Sequence, residues 1–279
     1  MTTVESSDPR GSGDGEPWVW DAFLNTFHRE HPGITADILG RSFAGGITPY
    51  QWLTEALPST GTVIDVACGN APLATFVGER WIGVDNSESE LAVGQSLLAR
   101  SSQPQQLVLG DAGSLPFADG AVDIVVCSMA LQVLGPLPTV LTELARVLRP
   151  GGLLVALVPA RKPLTLKDRW RYVRLTRALH DGLMAPNDGE LGRLALVMGG
   201  AGFDVVDDEF RRFAYRLDDT MVAARFVSSL YVPHGNAERI DAANALARRW
   251  VGTSLGIPIR RFICMRTATG AAPTVVSRA

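Results

Sequence analysis

The stretch VIDVACGNAPLATFVGERWIGVDNS (residues 63–87) decides the fold. It holds two short apolar runs, 63–66 and 81–85, with Asp65 inside the first and Asp85 closing the second. A turn of small residues, Ala67 to Pro72, follows the first run. Runs that are apolar on both faces and rich in β-branched residues read as buried parallel strands. The pattern recurs at 106–109, 123–127 and 153–158, with helical stretches at 87–99 and 138–148 between. The second of these carries Val140, Leu141, Leu144, Val147 and Leu148 on one stripe, and Pro150-Gly151-Gly152 stops it. Alternating strand and helix predicts a doubly wound α/β sheet.

Outward from this centre the rhythm changes. Trp18, Trp20, Phe23, Leu24 and Phe27 fall at helical spacing. A second helix is expected from Tyr50, with Thr48 as N-cap and Pro49 at its first position. After 160 the sequence predicts a basic helix over 161–180, a helix over 189–201 and a strand over 203–215. Helices over 219–231 and 236–251 and a last strand over 260–265 follow. Residues 1–16 and 267–279 are expected as tails, 17–57 as an N-terminal helical lid, and 58–266 as one domain with cap insertions at 160–190 and 219–251.

The 279 residues carry 46% hydrophobic and 20% charged side chains, which excludes a fibrous or disordered chain. The formal charge of −3 argues against a global grip on a polyanion. Three scattered cysteines (Cys68, Cys127, Cys264) make no disulfide framework or metal motif, so no metal is expected and a cytoplasmic location is. No apolar run is long enough to span a bilayer, and the polar first 17 residues do not read as a secretory signal.

In open parallel sheets, ligands bind beyond the carboxyl ends of the strands. Asp85 lies 20 residues after Asp65, the spacing at which an acid can accept from ribose hydroxyls. The turn keeps only Gly69 of a three-glycine dinucleotide fingerprint. A carboxylate at Asp65 suits an ammonium group, and the missing glycines suit a ligand without a pyrophosphate. Adenosine bearing an amino-acid tail meets both conditions.

Four segments in order, VIDVACGNAP (63–72), WIGVDNS (81–87), LGDAGSLPFADGAVDIVVCSMALQVL (109–134) and ELARVLRPGG (143–152), resemble the class I S-adenosylmethionine-dependent methyltransferases. The similar group includes the ubiquinone/menaquinone enzymes and many natural-product methyltransferases. The resemblance implies a Rossmann-like seven-stranded sheet with its last strand antiparallel, S-adenosylmethionine as cofactor, and methyl transfer to O, N or C of a small molecule. It places Asp65, Ala67 and Gly69 along the methionine half of the cofactor. Asp85 would lie on the ribose, Asn86, Asp111 and Ala112 at the adenine, and Ser128 and Met129 facing the sulfonium. Tyr50 would stand against the cofactor from the lid. Ala67 and Ala71 replace the usual glycines, and Gln132 stands where many relatives have histidine.

The cofactor brings an activated methyl group, so the chain must align the acceptor and, for a hydroxyl or acidic carbon, supply a base. The candidates are His28 and then His234, with Gln132 placing the acceptor. Cap aromatics (Trp170, Phe226, Tyr231, Trp250) suggest a bulky, partly apolar acceptor, as in secondary metabolism or quinone synthesis. Seven cations and one acid over 161–177 read either as a solvated helix face or as a site for an anionic acceptor, with Lys167, Arg171 and Arg174 on one side. Two other readings stay open: a non-methylating reaction such as cyclisation on the same fold, and nucleic-acid methylation. No nucleic acid or membrane is expected as a partner, and a homodimer is left open.

Overall fold

The computed structural model describes residues 17–100 and 105–268, with side chains from residue 20. The expected tail over 1–16 and most of that over 267–279 lie outside the described residues. The described residues open with helices α1 (Pro17–Glu30) and α2 (Ile34–Gly40), strand β1 (Ser42–Phe43) and helix α3 (Pro49–Thr54). Thr48 caps α3 as its side chain predicts: its hydroxyl accepts from the Gln51 amide at 3.2 Å, and the Gln51 side chain accepts from the Thr48 amide at 2.8 Å.

The central region runs β2 (Val63–Val66), α4 (Ala74–Val77), β3 (Trp81–Asp85), α5 (Glu88–Leu98), β4 (Gln106–Leu109), β5 (Val122–Ser128), α6 (Leu137–Val147) and β6 (Leu148–Pro159). It continues with α7 (Leu166–Leu179), α8 (Asp188–Leu191), α9 (Leu194–Gly200), β7 (Phe203–Leu217), α10 (Thr220–Ser228), α11 (Ala237–Arg248) and β8 (Thr253–Arg266). The sheet order is β1-β7-β8-β6-β5-β2-β3-β4. Strands β2 to β6 pair in parallel, and β8 runs antiparallel to both β6 and β7. The expected seven-stranded sheet with a reversed last strand is therefore present. An eighth strand was not foreseen: two-residue β1 pairs antiparallel on the outer edge of β7. Two residues give no period to read.

The central strands are buried on both faces. Val63, Ile64, Asp65 and Val66 are all buried, and Val125, Val126 and Cys127 have no solvent exposure. One face packs against α6 through Val140, Leu141, Leu144 and Val147, the other against α3 through Trp52 and Leu53. Strands β7 and β8 pair along their full length, from Phe203↔Arg266 to Leu217↔Thr253, while β6 pairs with β8 only over 259–265. The overhanging half of the β7–β8 ribbon carries α7, α10 and α11, which share a core of Leu175, Leu179, Phe226, Ala247, Trp250 and Leu255.

Candidate active site

A cleft of about 380 Å³ opens at the carboxyl ends of β2, β3 and β5. Its floor is the turn after β2. Ala67 and Ala71 both adopt a left-handed backbone (φ 56° and 65°), as does Gly69 (φ 54°). Left-handed φ at alanine costs on the order of 1 kcal/mol, which explains why glycine is usual at such positions. The turn is held by the Cys68 amide donating to Val84 O (3.1 Å) and the Ala71 amide to Cys68 O (3.0 Å).

Asp85 fixes the turn to the neighbouring strand. One carboxylate oxygen accepts from the Gly69 amide at 2.7 Å and the other from the Ser87 amide at 2.8 Å. Each oxygen keeps further lone-pair capacity, so two vicinal hydroxyls can still be received. Burial raises its pKa, against the two amides, which lower it.

Asp65 is 1% exposed. The Trp81 indole donates to one oxygen at 3.2 Å, and the other oxygen is buried with no partner. Burial, reinforced by Asp85 and opposed by Trp81, pushes its carboxyl up to about 8. Gly83 lets the indole reach across: a Cβ there would sit 2.4 Å from the Trp81 ring and 2.7 Å from Cys68 Sγ. A buried carboxylate oxygen without a donor, on a cleft wall, is the complement of an ammonium group. These features fit S-adenosylmethionine: Asp85 for the ribose and Asp65 for the amino-acid end. When bound, that cofactor supplies an electrophilic methyl group.

The structure places the other expected cofactor residues on the same wall. Tyr50 enters from α3, Asn86 follows β3, and Asp111 and Ala112 follow β4. Asp111 accepts from the Gly113 amide at 2.6 Å, which closes the turn there. Ser128 ends β5 and Met129 follows it; Met129 has φ 58°, and the Ser128 hydroxyl is buried without a partner.

Gln132 does not line the cleft. It is 2% exposed, and its side chain donates to Met129 O at 2.6 Å, holding the strained Met129 turn from behind. Its carbonyl accepts from the Asn187 amide. The expected acceptor-placing position is corrected: the side-chain nitrogen is held by its own loop, and the side-chain oxygen is buried behind the cleft wall without a partner. His234 is exposed and lies outside the cleft-lining set; the loop before α11 carries it to the surface, where its carbonyl accepts from Arg239.

His28 does line the cleft. Its Nδ1 lies 3.0 Å from Glu90 Oε1, and its Nε2 lies 3.4 Å from the Tyr231 hydroxyl. With Nδ1–H donating to the carboxylate, Nε2 carries the ring's lone pair, which faces the Tyr231 hydroxyl. Glu90 is 4% exposed and also accepts the Gly33 amide at 3.0 Å, so it ties the lid to α5. Tyr231 packs edge-on against Phe27 (ring centroids 4.8 Å apart) and near Trp20 and Phe23, and burial pushes its phenol up to about 12. Lid and cap therefore meet over the cleft. Of the four cap aromatics expected to shape an acceptor pocket, only Tyr231 lines it. Phe226 and Trp250 are buried in the cap's own core, and Trp170 is exposed.

Glu90 and Tyr231 were missed as partners of His28. Ser87-x-x-Glu90 resembles a helix cap, and the Ser87 hydroxyl does accept the Glu90 amide at 3.4 Å. The Glu90 side chain, however, turns to His28. Among the described residues, no group of three His, Cys, Asp or Glu side chains could hold a metal ion.

Five parallel strands extended by antiparallel β8, β7 and β1, with a buried acid in β2 and a second acid ending β3, form a Rossmann-like methyltransferase fold. Residues 64–156 match the family described as a methyltransferase domain. The chain is 37% identical over 120 residues to a demethylmenaquinone methyltransferase of Symbiobacterium thermophilum, covering 40% of this chain and 45% of that protein. It is 32% identical over 150 residues to the ubiquinone/menaquinone biosynthesis C-methyltransferase of Paracoccus denitrificans, covering 50% and 59%. The chain thus spans about half the length of these curated relatives. The structure superposes on that of the [4+2]-cyclase SpnF with a TM-score of 0.51 at 19% identity, over 78% of this chain and 80% of that one, a likeness of fold alone.

Proposed function

We propose that this protein transfers the methyl group of S-adenosylmethionine to a small, weakly acidic acceptor, a quinol-like hydroxyl or carbon, held between the cofactor and the His28–Tyr231 wall. The observation that carries the proposal is the pair of strand-end acids: Asp85 with both oxygens pre-oriented by backbone amides, and Asp65 with one oxygen left for a cation. The names of the relatives support a quinone-type acceptor. His28 supports the acidic character, because Glu90 orients its Nε2 as a proton acceptor on the cleft wall. Tyr231 and the α1 aromatics exclude water from the same space.

The Glu90–His28 pair supplies a candidate base on the cleft wall, which favours methyl transfer to an acidic acceptor over the cyclisation reading. Nucleic-acid methylation is disfavoured by the cleft itself, which gathers Asp21, Asp65, Asp85, Glu90 and Asp111 where a polyanion would pass. The test is incubation with methyl-labelled S-adenosylmethionine and a demethylmenaquinol. Label in the quinol, with formation of adenosylhomocysteine, supports the proposal. Converted acceptor without added methyl would refute it.

A further inference from the structure

The helix α7 splits its charges in a way that the cleft does not explain. Its inner face is fixed to the β7–β8 ribbon. Asp168 is 1% exposed and accepts from Arg212 at 2.7 and 3.1 Å and from the Gly256 amide at 2.8 Å. Arg171 is 2% exposed, donates to Ser254 O at 2.7 Å and Thr253 Oγ1 at 2.8 Å, and stacks on Trp250. The shared cationic face expected from Lys167, Arg171 and Arg174 is thus corrected: Arg171 is an internal strut.

The outer face has the opposite character. At 100° per residue, Leu166, Trp170, Val173 and Arg177 stand in one row away from the buried side. Leu166 is 82% exposed, Trp170 53% and Val173 45%. Lys167 and Arg174 flank this row on one side and Arg169 on the other, and Arg174 stacks 4.6 Å over the Trp170 ring. Among the described residues none of these cations is paired with a carboxylate. The segment's one acid, Asp168, faces inward.

The chain's formal charge is −3 and that of 161–177 is +6, so the remainder carries −9. An extended anionic surface therefore attracts this helix and repels the rest of the molecule, which fixes the orientation of approach. The face is a convex row of aliphatic and indole side chains edged by cations. It offers no groove for a peptide and no carboxylate to pair with a partner's base. A helix with this composition lies in the plane of a membrane interface, with indole and aliphatic groups at the headgroup boundary and cations on the phosphates.

We propose that the outer face of α7 docks the protein on an anionic lipid surface. Among the described residues no helix is long and apolar enough to cross a membrane; this concerns spanning alone and is compatible with a peripheral contact. The proposal does not rest on the methyl-transfer reading.

The test is sedimentation of the full chain with phosphatidylcholine vesicles, with and without phosphatidylglycerol. Binding is expected only to the phosphatidylglycerol-containing vesicles and should weaken as salt rises. Because each cation near such a surface contributes about fivefold, Lys167→Gln with Arg177→Gln should weaken binding about twenty-five-fold. Leu166→Ser with Trp170→Ala should weaken it about tenfold through loss of apolar insertion. All four positions are outside the cleft, so adenosylhomocysteine affinity should be unchanged and serves as the folding control. No binding to phosphatidylglycerol vesicles at low salt would overturn the proposal. So would equal binding by the variants. Retention on heparin or RNA without vesicle binding would also overturn it, in favour of a soluble polyanion.

Discussion

Replacing Asp65 with asparagine should stabilise the ligand-free protein and weaken its hold on the cofactor. In the folded chain, burial keeps this carboxyl protonated up to a pH of about 8, whereas an aspartate in the unfolded chain ionises near pH ~4. Folding therefore takes up a proton throughout that window. Each pH unit within it removes about 1.4 kcal/mol of stability as pH rises, and the penalty is complete above about pH 8. The ceiling is roughly 5–6 kcal/mol; water entering the adjoining cleft lowers it, and about 2 kcal/mol is the working figure. Asparagine cannot ionise, and its amide oxygen still accepts from the Trp81 indole. Thermal unfolding of Asp65→Asn at pH 8 should lie about 4–8 °C above the parent, with the gain shrinking to nothing near pH 4. Calorimetric titration of the same variant with S-adenosylmethionine should show affinity lower by about tenfold or more, since the ammonium loses its counter-charge. A variant no more stable at pH 8, or one whose gain does not depend on pH, would refute the reasoning.

Four further outcomes are expected. Asp85→Ala should weaken adenosylhomocysteine binding by about 1–3 kcal/mol, read by calorimetry, because two ribose hydroxyls lose their acceptors. Ala67→Gly should match or exceed the parent by up to about 1 kcal/mol in denaturant unfolding, since relief of the left-handed alanine offsets the added chain entropy. Asp168→Ala should cost about 3 kcal/mol or more and loosen the cap first, visible as faster hydrogen exchange in α7, because it strands Arg212 and the Gly256 amide. Arg212 holds the Asp168 carboxyl below its ordinary range, so its stabilisation is present above about pH 4 and is lost as pH falls further. Glu90→Gln should slow turnover about 10²-fold while leaving adenosylhomocysteine affinity nearly unchanged, measured by steady-state kinetics beside calorimetry.

The core of the fold was legible because buried parallel strands announce themselves as continuous β-branched runs, and Asp65 and Asp85 stood out as charges inside such runs. The overhang of β8 was not. The sequence analysis expects the last strand only over 260–265, whereas β8 begins at Thr253 and includes Gly256 and Pro258, residues unfavourable in strand interiors. They are tolerated because β8 pairs there with β7 alone and β6 ends at Pro159. The cleft's acceptor side was legible only at His28. Tyr231 lies 203 residues from it, and nothing in local spacing tells a cap tyrosine that meets the lid from one like Tyr215, buried against Phe226. His234 and Gln132 show the converse. Their residue types suit a site, but a loop turned outward removes the first, and a hydrogen bond to Met129 O occupies the second.

The most direct measurement is a crystal structure of the protein with adenosylhomocysteine. The ribose hydroxyls should lie within hydrogen-bond distance of both Asp85 oxygens, and the amino group should face the free oxygen of Asp65. A ligand bound elsewhere, or a cleft left empty at saturating adenosylhomocysteine, would contradict the account.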